Sequence, residues 1–130
     1  MLYMLLLYSE PGTKWPADII DQHLAVWRET STRGAYVSSE ALGGDPSRAT
    51  TVRVRQGRVL TTDGPFAETK EVLGGFYLLD CENLDEARRY AAQIPDAKYG
   101  SVEIRAVMEV PGWPYVETPR RRRHPMGAAS

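Results

Sequence analysis

Histidine titrates near neutral pH, so a histidine on the inward side of a helix is a candidate proton carrier. His23 stands four residues after Ile19 and four before Trp27, on or beside the apolar face of a predicted helix. A second group of reactive side chains crowds into Asp63-Gly64-Pro65-Phe66-Ala67-Glu68-Thr69-Lys70-Glu71. A plain connector does not need that density of charge, and loops held between strands often carry function. Asp-Gly-Pro is also turn chemistry, so Asp63 has two readings. Its carboxylate can accept backbone N–H groups in an Asx-turn, or it can enter a cleft as the catalytic partner of His23. Glu68, Lys70 and Glu71 are candidate ligands for a polar substrate. Alternatively they form an exposed ion-pair set, which contributes only ~0–1 kcal/mol per pair. Tyr77 points away from the face that holds Phe76, and so lines either a pocket or an interface. Phe66 is expected to anchor the loop by apolar packing.

Other chemistries find no support in the text. One cysteine, Cys81, and two distant histidines give no metal-ligand spacing. Gly43-Gly44 and Gly74-Gly75 are too sparse for a phosphate loop or a dinucleotide fingerprint, and no serine lies in a nucleophile elbow. No cofactor is therefore expected. Sixteen basic against seventeen acidic residues leave a net charge of −1, with no global pull toward nucleic acid or anionic membrane. Arg53, Arg55 and Arg58 form a basic ladder and Arg120 to Arg123 a basic run, but no stacking aromatics are interleaved with the ladder. Neither nucleic acid nor membrane is expected as a partner. The apolar start Met1–Tyr8 lacks a basic leader and is cut short by Ser9, Glu10 and Pro11, so it reads as a strand of a cytoplasmic protein. The lone cysteine fits a reducing compartment.

Positioning these groups requires a scaffold. The run from Leu2 to Tyr8 is short and continuously apolar, as in a strand covered on both faces. Asp18 can cap a helix reaching Arg33, with Ile20, Leu24 and Trp27 as its apolar stripe, supported by Ile19 and Val26. Ala35–Leu42 reads as a strand. Thr50–Arg55 and Arg58–Thr62 alternate around Gln56-Gly57, a two-residue hairpin turn. That register sets Val54 opposite Val59 and Arg55 opposite Arg58, with Val52, Val54 and Val59 expected to point to the core. Gly75–Cys81 is a central strand. Asn83 caps a second helix with Glu86 three residues on. Leu84, Ala87, Ala91 and Ile94 form its stripe, and Pro95 ends it. Ser101–Val107 alternates as a last strand.

With the hairpin set aside as an insertion, the order is β-α-β-β-α-β, an α+β ferredoxin-like domain over residues 1–110. Such a sheet has helices on one face, so a second copy is expected on the other. Residues 111–130 read as an extended arginine-rich tail, whose Trp113 and Tyr115 are expected to pack on the domain or on a partner subunit.

The string DGPFAETKE, followed by GGFYLLD and DEARRYAAQIP, resembles the bacterial YCII-related proteins of the DGPF-domain branch. The start LYMLLLYSE, the hairpin TTVRVRQGRVLTTDGPF and the terminal VEIRAV extend the resemblance over roughly Met1–Met108. It implies a ferredoxin-like fold pairing as a dimeric α/β barrel, with a cleft in each subunit. It also implies that most members have no assigned activity, and that an association with alternative sigma factors is a live alternative. The sister YCII branch resembles an enzyme through a helix-one histidine and an aspartate just before a proline after helix two. His23, in DQHLAVW, carries the histidine over. The aspartate does not carry over: Ile94 precedes Pro95 and Asp96 follows it. Asp63 is the candidate to supply the missing acid.

The expectation is a homodimeric, cofactor-independent small-molecule enzyme of lyase or isomerase type, with His23 and Asp63 catalytic. The alternative is a non-catalytic ligand-binding or regulatory module that engages a sigma-factor-type protein.

Overall fold

A computed structural model describes residues 1–43, 45–67, 69–114 and 117–118. Glu68, Tyr115 and the run Arg120–Arg123 lie outside the described residues. The chain forms β1 (Leu2–Ser9), α1 (Ile19–Thr32), β2 (Tyr36–Ala41), β3 (Thr50–Arg55), β4 (Arg58–Asp63), β5 (Val72–Asp80), α2 (Leu84–Gln93), α3 (Asp96–Tyr99) and β6 (Ser101–Ala106). The main sheet has the order β2-β5-β1-β6, with every neighbour antiparallel. Strands β3 and β4 form a sheet of their own. This is the ferredoxin-like α+β arrangement with an inserted hairpin.

Paired residues of adjacent strands share a face, so the register divides the sheet in two. Leu5 opposes Tyr77 and Ile104, Tyr3 opposes Leu79, and Leu7 opposes Gly75 and Val102. These side chains meet Val26 of α1 and Ala87, Tyr90, Ala91 and Ile94 at the α2 end in a single core. Met4 opposes Leu78 and Leu6 opposes Phe76 on the other face, where all four are half-buried. Among the described residues β1 is thus packed by helices on one face only.

Three inward-facing expectations need correction. On α1 the buried residues are Val26 and Thr30, while Ile20 is 71% exposed and Leu24 and Trp27 are also exposed. The inward stripe is the neighbouring one, Ile19-His23-Val26-Thr30, whose polar members are satisfied locally: the Thr30 hydroxyl donates to the Val26 carbonyl at 2.8 Å. Trp27 turns instead to Tyr36, ring edge to face at 6.4 Å. On the hairpin, the register Val54–Val59 and Arg55–Arg58 is as expected, but Val52, Val54 and Val59 are exposed. The hairpin stands apart from the main sheet, so neither of its faces reaches the core. Phe66, at 78% exposed, does not anchor its loop.

The helix termini follow their chemistry unevenly. The Asn83 side chain accepts the Glu86 N–H at 2.9 Å, capping α2 as expected. Asp18 caps nothing with its side chain, which instead accepts from the Gln22 amide. Pro95 ends α2 and at once opens α3, a single turn that hydrophobic periodicity does not reveal. The chain returns at Thr118, which is buried and donates to Asp80; the Met1 amino group also reaches Asp80, at 3.2 Å. Trp113 is exposed. Among the described residues no helix is long and apolar enough to cross a membrane.

Candidate functional site

His23 projects from the inward stripe of α1 over the sheet, where Tyr77 rises from the central strand β5. The His23 Nδ1 and the Tyr77 hydroxyl are 2.7 Å apart, and the rings stack at 5.9 Å with 14° between planes. On the other side of the imidazole, Nε2 lies 3.1 Å from Asp96 Oδ1. That separation is an ion-pair distance without the alignment of a hydrogen bond, so Oδ1, itself buried, retains an unspent acceptor. Asp96 is held there by α3. Its carbonyl accepts the Gly100 N–H at 2.8 Å, and a Cβ on Gly100 would lie 2.0 Å from the Tyr8 carbonyl oxygen. Only glycine lets the α3–β6 junction press against the end of β1 closely enough to bring Asp96 under α1.

The geometry fixes the order of protons. A carboxylate only accepts hydrogen bonds, so in neutral His23 the Nε2 hydrogen faces Asp96, and Nδ1 accepts the Tyr77 hydroxyl proton. Tyr77 is almost fully buried. Burial raises its phenol pKa strongly, and the charges of Asp96 and Tyr36 raise it further. A free-standing phenolate is therefore unfavourable at this position.

Two cavities of about 310 and 260 Å³ meet at His23 and Asp96. The first is walled by Trp15, Ile19, Leu42 and Leu73, with Glu10 also on its lining. Trp15 is steadied by Tyr99 of α3, edge to face at 5.4 Å. The second reaches Tyr77 across Ala41, Gly74 and Gly75, with Ser39 and Glu40 beside them. Its floor is shallow in side chains because Gly75 cannot be larger: a Cβ there would meet the Glu40 carbonyl oxygen at 2.8 Å. The register between β1 and β5 also slips at Gly74, between the Leu7–Gly75 and Tyr8–Leu73 pairs, and bulges of this kind recur beside active sites. Among the described residues no group of His, Cys, Asp and Glu has the arrangement to hold a metal ion.

Of the site residues expected from the sequence, the structure brings together His23 and Tyr77. Asp63 ends β4, exposed on the separate hairpin, and is not among the residues lining either cavity; the acid at the imidazole is Asp96. The turn at Asp63 is closed by its neighbours: the Gly64 N–H bonds the Ala49 carbonyl, and the Thr51 hydroxyl bonds the Gly64 carbonyl. Lys70 pairs with Glu10 at 3.2 Å on the surface. Glu71 accepts from the Ser101 hydroxyl at 2.8 Å, while its carbonyl takes the Thr69 hydroxyl. Both residues fasten the loop to the ends of β1 and β6 and stand outside the cavity linings. Glu68 lies outside the described residues. Asp96 was visible in the sequence as the acid following a helix-ending proline. The signal that could have recruited it is that an acid beside a proline favours the first turn of a new helix.

Residues 1–111 match the YCII-related domain. The chain is also similar to an uncharacterised protein of Rhizobium meliloti (strain 1021), 37% identical over 115 residues, covering 81% of this chain and 90% of that protein.

Proposed function

The chain belongs to the YCII-related domain family, and from that premise we propose that it is a cofactor-independent small-molecule enzyme that moves a proton, in an isomerisation or an elimination. The observation that carries this reading is the contiguous series Tyr77–His23–Asp96, with 2.7 and 3.1 Å between successive groups, opening on two joined cavities. The Tyr77 oxygen takes a proton from a carbon or oxygen acid in the cavity as its own hydroxyl proton passes to His23 Nδ1. The imidazolium so formed is offset by the Asp96 carboxylate. The reverse transfer returns the proton to a different atom of the substrate. The raised pKa of Tyr77 suits a relay, because the phenol stays neutral while the charge rests on the imidazole. We propose further that the active form is a cytoplasmic homodimer joined through the helix-free face of the sheet.

The test needs no known substrate. Small carbonyl compounds with acidic C–H bonds are incubated with the protein in D₂O, and exchange is followed by proton NMR. Wild type is expected to accelerate exchange of at least one compound. His23→Asn and Tyr77→Phe are expected to lower the rate by roughly 10²–10⁴-fold, the usual worth of a positioned acid–base group. Asp63→Asn is expected to leave it unchanged. Wild-type rates in His23→Asn would sink the relay.

A further inference from the structure

The charge lining the cavities selects among ligands. Asp96 is only 8% exposed, its Oδ1 lies 3.1 Å from His23 Nε2 without the alignment of a hydrogen bond, and it lines both cavities. Glu10 lines the first cavity, whereas Glu40 borders the second by its backbone, because its register partner Phe76 puts its side chain on the helix-free face. Among the described residues lining them there is no lysine or arginine. Lys70, 86% exposed and itself outside the lining, is paired with Glu10 at 3.2 Å. An anionic ligand would therefore meet the Asp96 carboxylate with no spare cation to answer it, because the His23 imidazole is already engaged by Asp96 and Tyr77. A ligand that brings a donor to the Asp96 carboxylate gains a charge-assisted hydrogen bond that an anion forfeits. The walls add a second requirement. Trp15, Leu42 and Leu73 remain more than a third exposed around the first cavity, and an apolar ligand body would cover them.

We infer that this site takes a neutral or cationic molecule with an apolar, ring-sized body and an N–H or O–H group donated to Asp96, and that it rejects carboxylates and phosphates. The inference rests on the proposed relay for its location and deepens it with a substrate class.

Benzylamine, benzyl alcohol and benzoate share a ring and differ in charge. Their dissociation constants on the full chain can be measured at pH 7 and fixed ionic strength from shifts of the Trp15 indole N–H resonance. Benzylamine and benzyl alcohol should saturate in the millimolar range, and benzoate should bind at least tenfold more weakly than benzylamine. Asp96→Asn should narrow the benzylamine-to-benzoate ratio severalfold. Glu40→Gln alters an exposed side chain on the helix-free face and should leave the ratio unchanged. Benzoate binding as tightly as benzylamine, a ratio unchanged in Asp96→Asn, or no binding of any probe would each overturn the inference. Because these are equilibrium measurements, benzoate-favouring binding beside intact proton exchange defeats the ligand class alone. Intact selectivity without exchange defeats the relay alone.

Discussion

A phenol buried beside a carboxylate holds its proton more firmly than one in water, and Tyr77 is in that position. Burial is the larger cause of its raised pKa, with Asp96 and then Tyr36 adding to it. A folded-state pKa above the unfolded value near 10.0 means that the stabilisation is fully present below pH 10 and is lost as pH rises through the folded value. Tyr77→Phe removes that dependence. At pH 7.5 it should cost about 1–2 kcal/mol, because His23 Nδ1 loses its partner. Urea unfolding repeated in steps up to pH 11.5 should show the gap to wild type closing, and parallel pH profiles would refute the assignment. At this scale the sequence was partly legible. His23 could be singled out by type and Tyr77 by strand alternation. The acid partner was visible only as an acid displaced past Pro95, because its place depends on α3, and a one-turn helix leaves no periodicity to read. Asp63 drew attention through local charge density, which turn chemistry alone produces.

Between residues and molecule, elements succeed or fail by which face they present. The hairpin register was legible because cross-strand pairing and a two-residue turn are local properties. The inward face of α1 was not. Its buried stripe contains His23 and Thr30, and their polar groups are answered by Tyr77, Asp96 and the helix backbone, none of which a hydrophobic pattern encodes. The join of β2 to β5 illustrates the same dependence on close approach. Gly75 and Gly74 are adjacent, yet an added Cβ at Gly75 would sit 2.8 Å from a β2 carbonyl oxygen, whereas at Gly74 its nearest neighbour would be at 3.9 Å. Gly75→Ala must therefore push β2 away from β5 and narrow the cavity floor. It should destabilise by about 1–3 kcal/mol, the usual cost of overpacking. Gly74→Ala should cost well under that. Thermal melts of the two variants measured together separate them, and equal shifts in melting temperature would show that the strand contact is looser than the geometry implies.

For the molecule as a whole, the question is what lies against the second face of the sheet. α1, α2 and α3 all pack on the face of Leu5 and Tyr77, leaving Met4, Leu6, Phe76 and Leu78 as an apolar centre with no helix above it among the described residues. A sheet whose two faces are both apolar at the centre needs a second layer. Thr118, in the return of the chain, bonds Asp80 at the end of β5. A second copy presents the same residues, so two-fold pairing buries like against like, as isologous dimers do. The apolar centre of this face was legible in the sequence, where the unbroken apolar run of β1 suggested cover on both sides, while among the described residues helices supply one. Light scattering at micromolar concentration should give about twice the 14.6 kDa of one chain. Leu6→Glu places a charge at the centre of that face and should shift the mass to a monomer while the far-ultraviolet circular dichroism stays that of the folded protein. Should Leu6→Glu unfold instead, Leu78→Lys tests the same face from the neighbouring strand. A monomeric wild type, or a folded Leu6→Glu variant that remains dimeric, would mean that the cover of this face comes from elsewhere.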